Sequence, residues 1–373
     1  MNRRETERLV DAIRQARAAG EPAALATVVR VRGSAYRREG TRMFVRRDRT
    51  YECALSGGCL EPDVAEAAAR VIATGEPVVM SYDLADDSVW SLGIGCSGAV
   101  DIRIERIEDD AITRAWVTIL ERGESAVLVT PLSGVSGRMI VPQAGAAVGA
   151  LSDPGAARDA EIRARARLAA PHPQSGPEPI GGAEVFFEIA TPPPELIVFG
   201  GGHDAAPVAE LAWTLGFAVT IVDARQAFLT AARFPGAALV CAHASELAGR
   251  VNLHRGSFVL VMNHHVERDE ACLRFGLDSD AGYIGVLGPR SRYEKLLAGL
   301  RDRGYVPDPS RLAAVRSPVG LALGAETPQE VAVSILSEIL AMRRGFAGGF
   351  LDGSVASLHR PADSVDRRVF AAS

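Results

Sequence analysis

Five apolar runs in the second half of the chain constrain its fold more than any other feature. Residues 196–199 read Leu-Ile-Val-Phe, and residues 218–222, 237–241, 258–262 and 283–287 are almost as free of polar side chains. A strand with one wet face alternates; a strand buried on both faces does not. Helical patterning at residues 205–215 follows the first run. A second helix is expected at 328–343, where Thr327, Pro328 and Glu330 form a capping box with proline in the first turn. Apolar strands alternating with helices predict a parallel sheet covered on both faces, a Rossmann-like α/β domain.

The first of these strands ends in Gly200-Gly201-Gly202-His203-Asp204-Ala205, which fits G-x-G-x-x-A. Asp223 closes the next strand, where a ribose-binding acid is expected, and Arg225 follows it. The fingerprint predicts NAD(P) or another nucleotide as a ligand. Asp204 opposes that reading, because its charge sits where a pyrophosphate would meet the helix N-terminus. The alternative is that Asp204 merely caps the helix. Asn263-His264-His265 follows the fourth strand. Ligands of open parallel sheets bind beyond the strands' carboxyl ends, so His203 and His264 are expected to approach one another there. The candidate residues of this half are Gly200, Gly202, His203, Asp204, Asp223, Arg225, Asn263 and His264. No G-x-S-x-G, H-E-x-x-H or P-loop lysine accompanies them.

The first half reads as a mixed α/β domain, residues 1–169. Two of its cysteines lie in glycine-rich turns, Ser56-Gly57-Gly58-Cys59-Leu60-Glu61 and Gly93-Ile94-Gly95-Cys96-Ser97-Gly98. Glycine removes shielding side chains, so both thiols should be reachable. Pro62 predicts a helix over 62–73, which places Cys59 just before a helix N-terminus, a setting that favours thiolate and attracts anions. Arg37 and Arg38, with the amides near Gly57 and Gly58, are candidate phosphate donors. Cys53, Cys241 and Cys272 sit in apolar surroundings and read as core. Residues 170–194, rich in proline, are expected to be a linker with one connecting strand. The Rossmann-like domain then spans 195–345, and 346–373 is a tail.

Composition narrows the classes. Lys and Arg number 41 against 46 Asp and Glu, so the chain has no basic excess to attract nucleic acid. No apolar run approaches the roughly 20 residues of a membrane helix, and the charged N-terminus lacks a signal peptide's apolar core. Five scattered cysteines read as reduced thiols in the cytoplasm.

With these motifs assembled, the sequence resembles the XdhC/CoxI family, the xanthine dehydrogenase accessory factors, over nearly its whole length. The resemblance is carried by Gly33-Ser34 with Arg37 and Arg38, Gly40-Thr41-Arg42-Met43, Ser56 to Glu61, and Trp90 to Cys96. In the second half it is carried by Phe199 to Asp204, Val222 to Arg225, Tyr283 to Gly288, and Ser317 to Leu321 running into Gly324 to Pro328. It implies a chaperone that binds the molybdenum cofactor (molybdopterin), protects it during sulfuration and delivers it to a molybdenum hydroxylase. It further implies a cysteine desulfurase as partner, a homodimer, and cofactor contact through Cys59 and Cys96, with Ser56, Gly57, Gly58, Glu61, Arg37 and Arg38 around them. Ser97 stands where the family has a glycine. Molybdenum is soft enough to take the Cys59 thiolate. Two other readings stay open: an NAD(P)-dependent oxidoreductase using Asp223, and a structural zinc protein using Cys53, Cys59 and Cys96, whose spacing is irregular.

Overall fold

In the computed structural model, described for residues 1–84, 98–170 and 173–352, the chain divides between Pro192 and Pro193 into two units. The first opens with helix α1 (Arg3–Ala19). Asn2 and Glu5 close a capping box at its start, Gly20 ends it in the left-handed region, and Leu9, Val10, Ile13 and Ala16 form its buried stripe. Strands β1 (Ala23–Gly33), β2 (Arg42–Arg46) and β3 (Tyr51–Glu52) follow, then α2 (Glu61–Thr74), β4 (Val78–Asp83) and β5 (Gly98–Arg106). They make a five-stranded sheet in the order β3-β2-β1-β5-β4, with β1 antiparallel to both neighbours. Helix α2 buries Val64, Ala68, Val71 and Ile72 on it, against Val28, Ile102 and Ile104.

A second five-stranded sheet belongs to the same unit. After α3 (Ala111–Arg122) come β6 (Ala126–Ser133), β7 (Gly137–Pro142), β8 (Val148–Leu151), α4 (Pro154–Ala169), β9 (Gly176–Ile180) and β10 (Ala183–Ala190), in the order β8-β7-β6-β10-β9. Helix α4 lies on it through Ala156, Ala160 and Ala164, spaced four apart, while Arg163 and Arg167 reach Glu178 of β9 and the Arg167 guanidinium packs over the Phe187 ring of β10. Residues 170–194 were expected as a linker with one connecting strand; β10 is that strand, and β9 beside it is a second one that the expectation lacked. Pro177 and Pro179 lie in β9, an edge strand, where a missing N–H does not break an inner ladder. The ion pair of Arg42 with Glu188, both buried, ties the two sheets together.

The second unit runs β11 (Glu195–Phe199), α5 (Ala205–Thr214), β12 (Ala218–Asp223), β13 (Ala238–Cys241), α6 (Leu247–Arg250), β14 (Ser257–Val261), α7 (Val266–Leu277), β15 (Tyr283–Val286), α8 (Arg290–Asp302), α9 (Pro309–Leu312), β16 (Val315–Arg316) and α10 (Pro328–Arg344). All six strands are parallel, in the order β13-β12-β11-β14-β15-β16. Helices α5 and α10 cover one face and α7 and α8 the other. This is the Rossmann-like sheet that the apolar runs predict, with its switch point between β11 and β14. No helix among the described residues is long and apolar enough to cross a membrane.

Candidate functional site

The turn before α2 is built from beneath. Glu61, the first residue of the helix, is wholly buried. Its Oε1 accepts from the amides of Leu55 (2.8 Å) and Ser56 (2.7 Å), and its Oε2 accepts from the Ser56 hydroxyl (2.5 Å). Burial pushes this carboxyl up, but the Ser56 hydroxyl and the amides of Ser56, Glu61 and Leu55 outweigh it, so it lies below its ordinary value. The Ser56 oxygen in turn accepts from the amides of Gly58 and Leu60, each at 3.2 Å, and from the Cys59 thiol at 3.3 Å. One carboxylate and one hydroxyl thus fix the turn from Leu55 to Leu60.

Above the turn is a cavity of about 270 Å³. Ala35, Leu55, Leu60, Leu84 and Val100 give it apolar walls, and Tyr36, Arg37, Ser56, Gly57 and Cys59 complete the lining. Gly58 has φ +110 and needs to be glycine; Gly57 does not. A Cβ built on Gly57 meets no atom within 4 Å, so its missing side chain leaves open space. The loop carrying Tyr36 and Arg37 arrives from the end of β1, where Gly33 pairs with Gly98 of β5. A Cβ on Gly98 would stand 2.2 Å from the Ser34 carbonyl oxygen, so that approach requires glycine.

The structure brings Cys59, Ser56, Gly57 and Arg37 to one cavity and leaves other predicted residues out. Arg38 is not part of the lining. Arg37 donates to Glu5 of α1 at 2.5 Å, so its charge is already partnered. Burial raises the Glu5 carboxyl, and the Asn2 amide and Arg37 more than reverse that. The Gly58 amide, expected to face a phosphate, is taken by Ser56. Glu61, expected to contact ligand, faces the turn from below. Cys53 follows β3 with φ +63, and its thiol donates to the Glu5 carbonyl at 3.4 Å. Burial raises that thiol. Cys53 and Cys59 therefore face different partners. Among the described residues no three His, Cys, Asp or Glu side chains gather to hold a metal ion, which leaves the zinc reading without a site there. Cys96 and the Trp90 to Cys96 motif lie outside the described residues. Tyr36 joins the lining without any motif to mark it, because its place there depends on Ala35 burying beside it.

The glycine turn of the second unit has a different interior. Gly200 (φ +116) passes so close to β14 that a Cβ would lie 2.5 Å from the Met262 carbonyl oxygen. Its amide donates to Val222, and that of Gly201 to Asp223 Oδ2 at 2.8 Å. Asp223, wholly buried, also accepts from the Arg225 amide (2.8 Å), Nε (2.9 Å) and Nη2 (2.7 Å). Burial pushes the carboxyl up, but Arg225 and the Gly201 amide outweigh it and hold it at about 2. The Arg225 guanidinium stacks 3.8 Å from the Phe228 ring centre. Asp223 therefore has its acceptors occupied, and the expected ribose contact is not what the geometry offers. Asp204 does not cap α5; its Oδ2 lies 2.6 Å from His264 Nε2. His264, not His203, is the partner across the crevice, and it adopts φ +57 to reach. Asn263 turns inward, its side-chain amide donating to Asp269 at 3.1 Å. Cys272 is a buried thiol pushed up to about 12 by desolvation, inert as expected of core.

Comparison with known proteins bears on both units. Residues 16–83 match the XdhC and CoxI family, and residues 196–339 match the XdhC Rossmann domain. The chain is 32% identical over 334 residues to a probable xanthine dehydrogenase subunit of Bacillus subtilis (strain 168), covering 88% of this chain and 95% of that one. It is 23% identical over 325 residues to the molybdenum cofactor insertion chaperone PaoD of Escherichia coli (strain K12), covering 87% and 84%. A crystal structure described as a xanthine dehydrogenase from Bacillus halodurans superposes with a TM-score of 0.74 at 28% identity, over 90% of this chain and 95% of that one.

Proposed function

The chain belongs to the XdhC and CoxI family, and from that premise we propose that it binds the molybdenum cofactor as cargo and inserts it into a xanthine dehydrogenase-type enzyme. The observation that carries this is the Cys59 thiol, half-buried on an apolar cavity and held by Ser56 at 3.3 Å. The donor set suits the cargo. A thiolate is a soft ligand of the kind molybdenum takes. A single thiolate grips and releases, as a carrier requires, where a closed ring of ligands would retain the metal. In this reading Cys59 contacts the molybdenum while the terminal oxo ligand is exchanged for sulfur supplied by a cysteine desulfurase, and the protein works as a homodimer.

The test is direct. Wild type and Cys59→Ala are incubated with released cofactor and gel-filtered, and the bound molybdenum is measured. Retention by the wild type and loss by the variant is the expected result. Equal retention by the two removes Cys59 from the reading.

A further inference from the structure

The cavity beside Cys59 says which end of the cargo enters it. Its walls are apolar, and the one guanidinium among the described residues of its lining, that of Arg37, is already paired with Glu5. Bringing a phosphate there would strip the phosphate of water and find no free cation among the lining residues. At about 270 Å³ the space suits a fragment and falls below the usual range for a whole ligand of drug size. A flat, uncharged ring system fits this description when its polar edge stays in solvent, on the side where Tyr36 is exposed.

Tyr36 stands on the lining with 70% of its surface exposed. That exposure is built in. Ala35 before it is buried in the α2 core, and Arg37 after it is tied to Glu5 of α1, so the backbone is anchored on both sides of the ring. The Arg37 guanidinium lies 5.7 Å from the ring centre, a cation–π contact that helps hold the ring in place. An exposed aromatic ring on anchored backbone, at the edge of an apolar cavity, is the setting that stacks heteroaromatic bases.

We propose that Tyr36 is the stacking platform for the pterin ring of the cargo, and that the cargo's phosphate stays outside this cavity. The proposal rests on the molybdenum cofactor reading but is tested without molybdenum. The full-length protein is titrated with biopterin, followed by its fluorescence, with inorganic phosphate as competitor. Wild type binds, Tyr36→Phe binds equally, and phosphate does not displace the pterin. Tyr36→Ala, at an exposed position that leaves the fold intact by circular dichroism, weakens binding about 5- to 150-fold, the span of aromatic stacking on a base. Equal binding by Tyr36→Ala overturns the platform, as does failure of the wild type to bind biopterin or displacement by phosphate. Loss of molybdenum in Cys59→Ala together with unchanged biopterin binding in Tyr36→Ala would refute the platform and leave the chaperone reading standing.

Discussion

Both units carry a glycine-rich turn leading into a helix, and the two turns spend their glycines and carboxylates in opposite ways. Before α2, Glu61 lies beneath the turn and holds Leu55 and Ser56, Ser56 in turn holds Gly58, Cys59 and Leu60, and Cys59 and the bare Gly57 are left on the lining of a cavity. Before α5, Gly200 serves close packing on β14, and Asp223 and Asp204 are each closed by a cation or an imidazole, Arg225 and His264. One turn is pinned so that a reactive group stays available. The other is folded shut on itself. A glycine motif thus marks where a backbone comes close or a space is left, and the atoms around it decide which.

The largest effect is expected where the first turn is pinned. Glu61→Ala orphans the Leu55 and Ser56 amides and the Ser56 hydroxyl. Each buried unpaired group costs about 1–3 kcal/mol, so the variant should lose about 3 kcal/mol or more of stability in urea unfolding. Glu61→Gln, which can still accept both amides, should lose less. A loss near zero for Glu61→Ala would mean the turn holds itself, and the contrast with the second unit would dissolve.

The next effect belongs to the closed turn. The Asp223 carboxyl sits at about 2 in the folded chain, against an ordinary 3.8. A depressed folded value means stability that is fully present above about pH 4 and is lost as pH falls through about 2. The amount is about 2 kcal/mol. Asp223→Asn should forfeit it at neutral pH and no longer lose it between pH 4 and 2. Hydrogen exchange of the β11 and β12 amides in the full-length chain reads this. An unchanged acid profile in the variant would show that Arg225 does not seal Asp223.

What the sequence made legible follows from what each signal measures. Strands buried on both faces must be apolar throughout, so the six-stranded sheet was foreseen apart from β16, whose two residues leave no pattern. Part of the second sheet was foreseen, since β10 is the connecting strand expected in 170–194, whereas β7, β8 and β9 were not, because they carry the reverse of propensity: prolines in an edge strand and glycines in β7 and β8. The glycines flanking Cys59 mark a turn that does place this residue on the lining of a cavity. The spacing of Asp223 after the fingerprint was right as well, yet Arg225, two residues on, closes it. Competition of that kind is a matter of side-chain direction. The same holds for Ser56 taking the Gly58 amide, and for Glu5 reaching Arg37 from 32 residues away. Contacts of long sequence separation leave no periodicity to read.

The smallest effect on stability sharpens the comparison most. Gly57 has no left-handed backbone to protect, and a Cβ there meets nothing within 4 Å. Gly57→Ala should therefore leave the melting temperature unchanged or raise it slightly, since alanine narrows the unfolded ensemble at a compatible site by about 0.4–1 kcal/mol. The added methyl group projects into space on the cavity lining beside Cys59. Bound molybdenum after gel filtration should fall although the fold is as stable as before. A stability cost would mean that the turn needs this glycine for packing, as the second unit needs Gly200. Full retention of molybdenum would mean that the cargo does not occupy the side of the cavity that Gly57 leaves open.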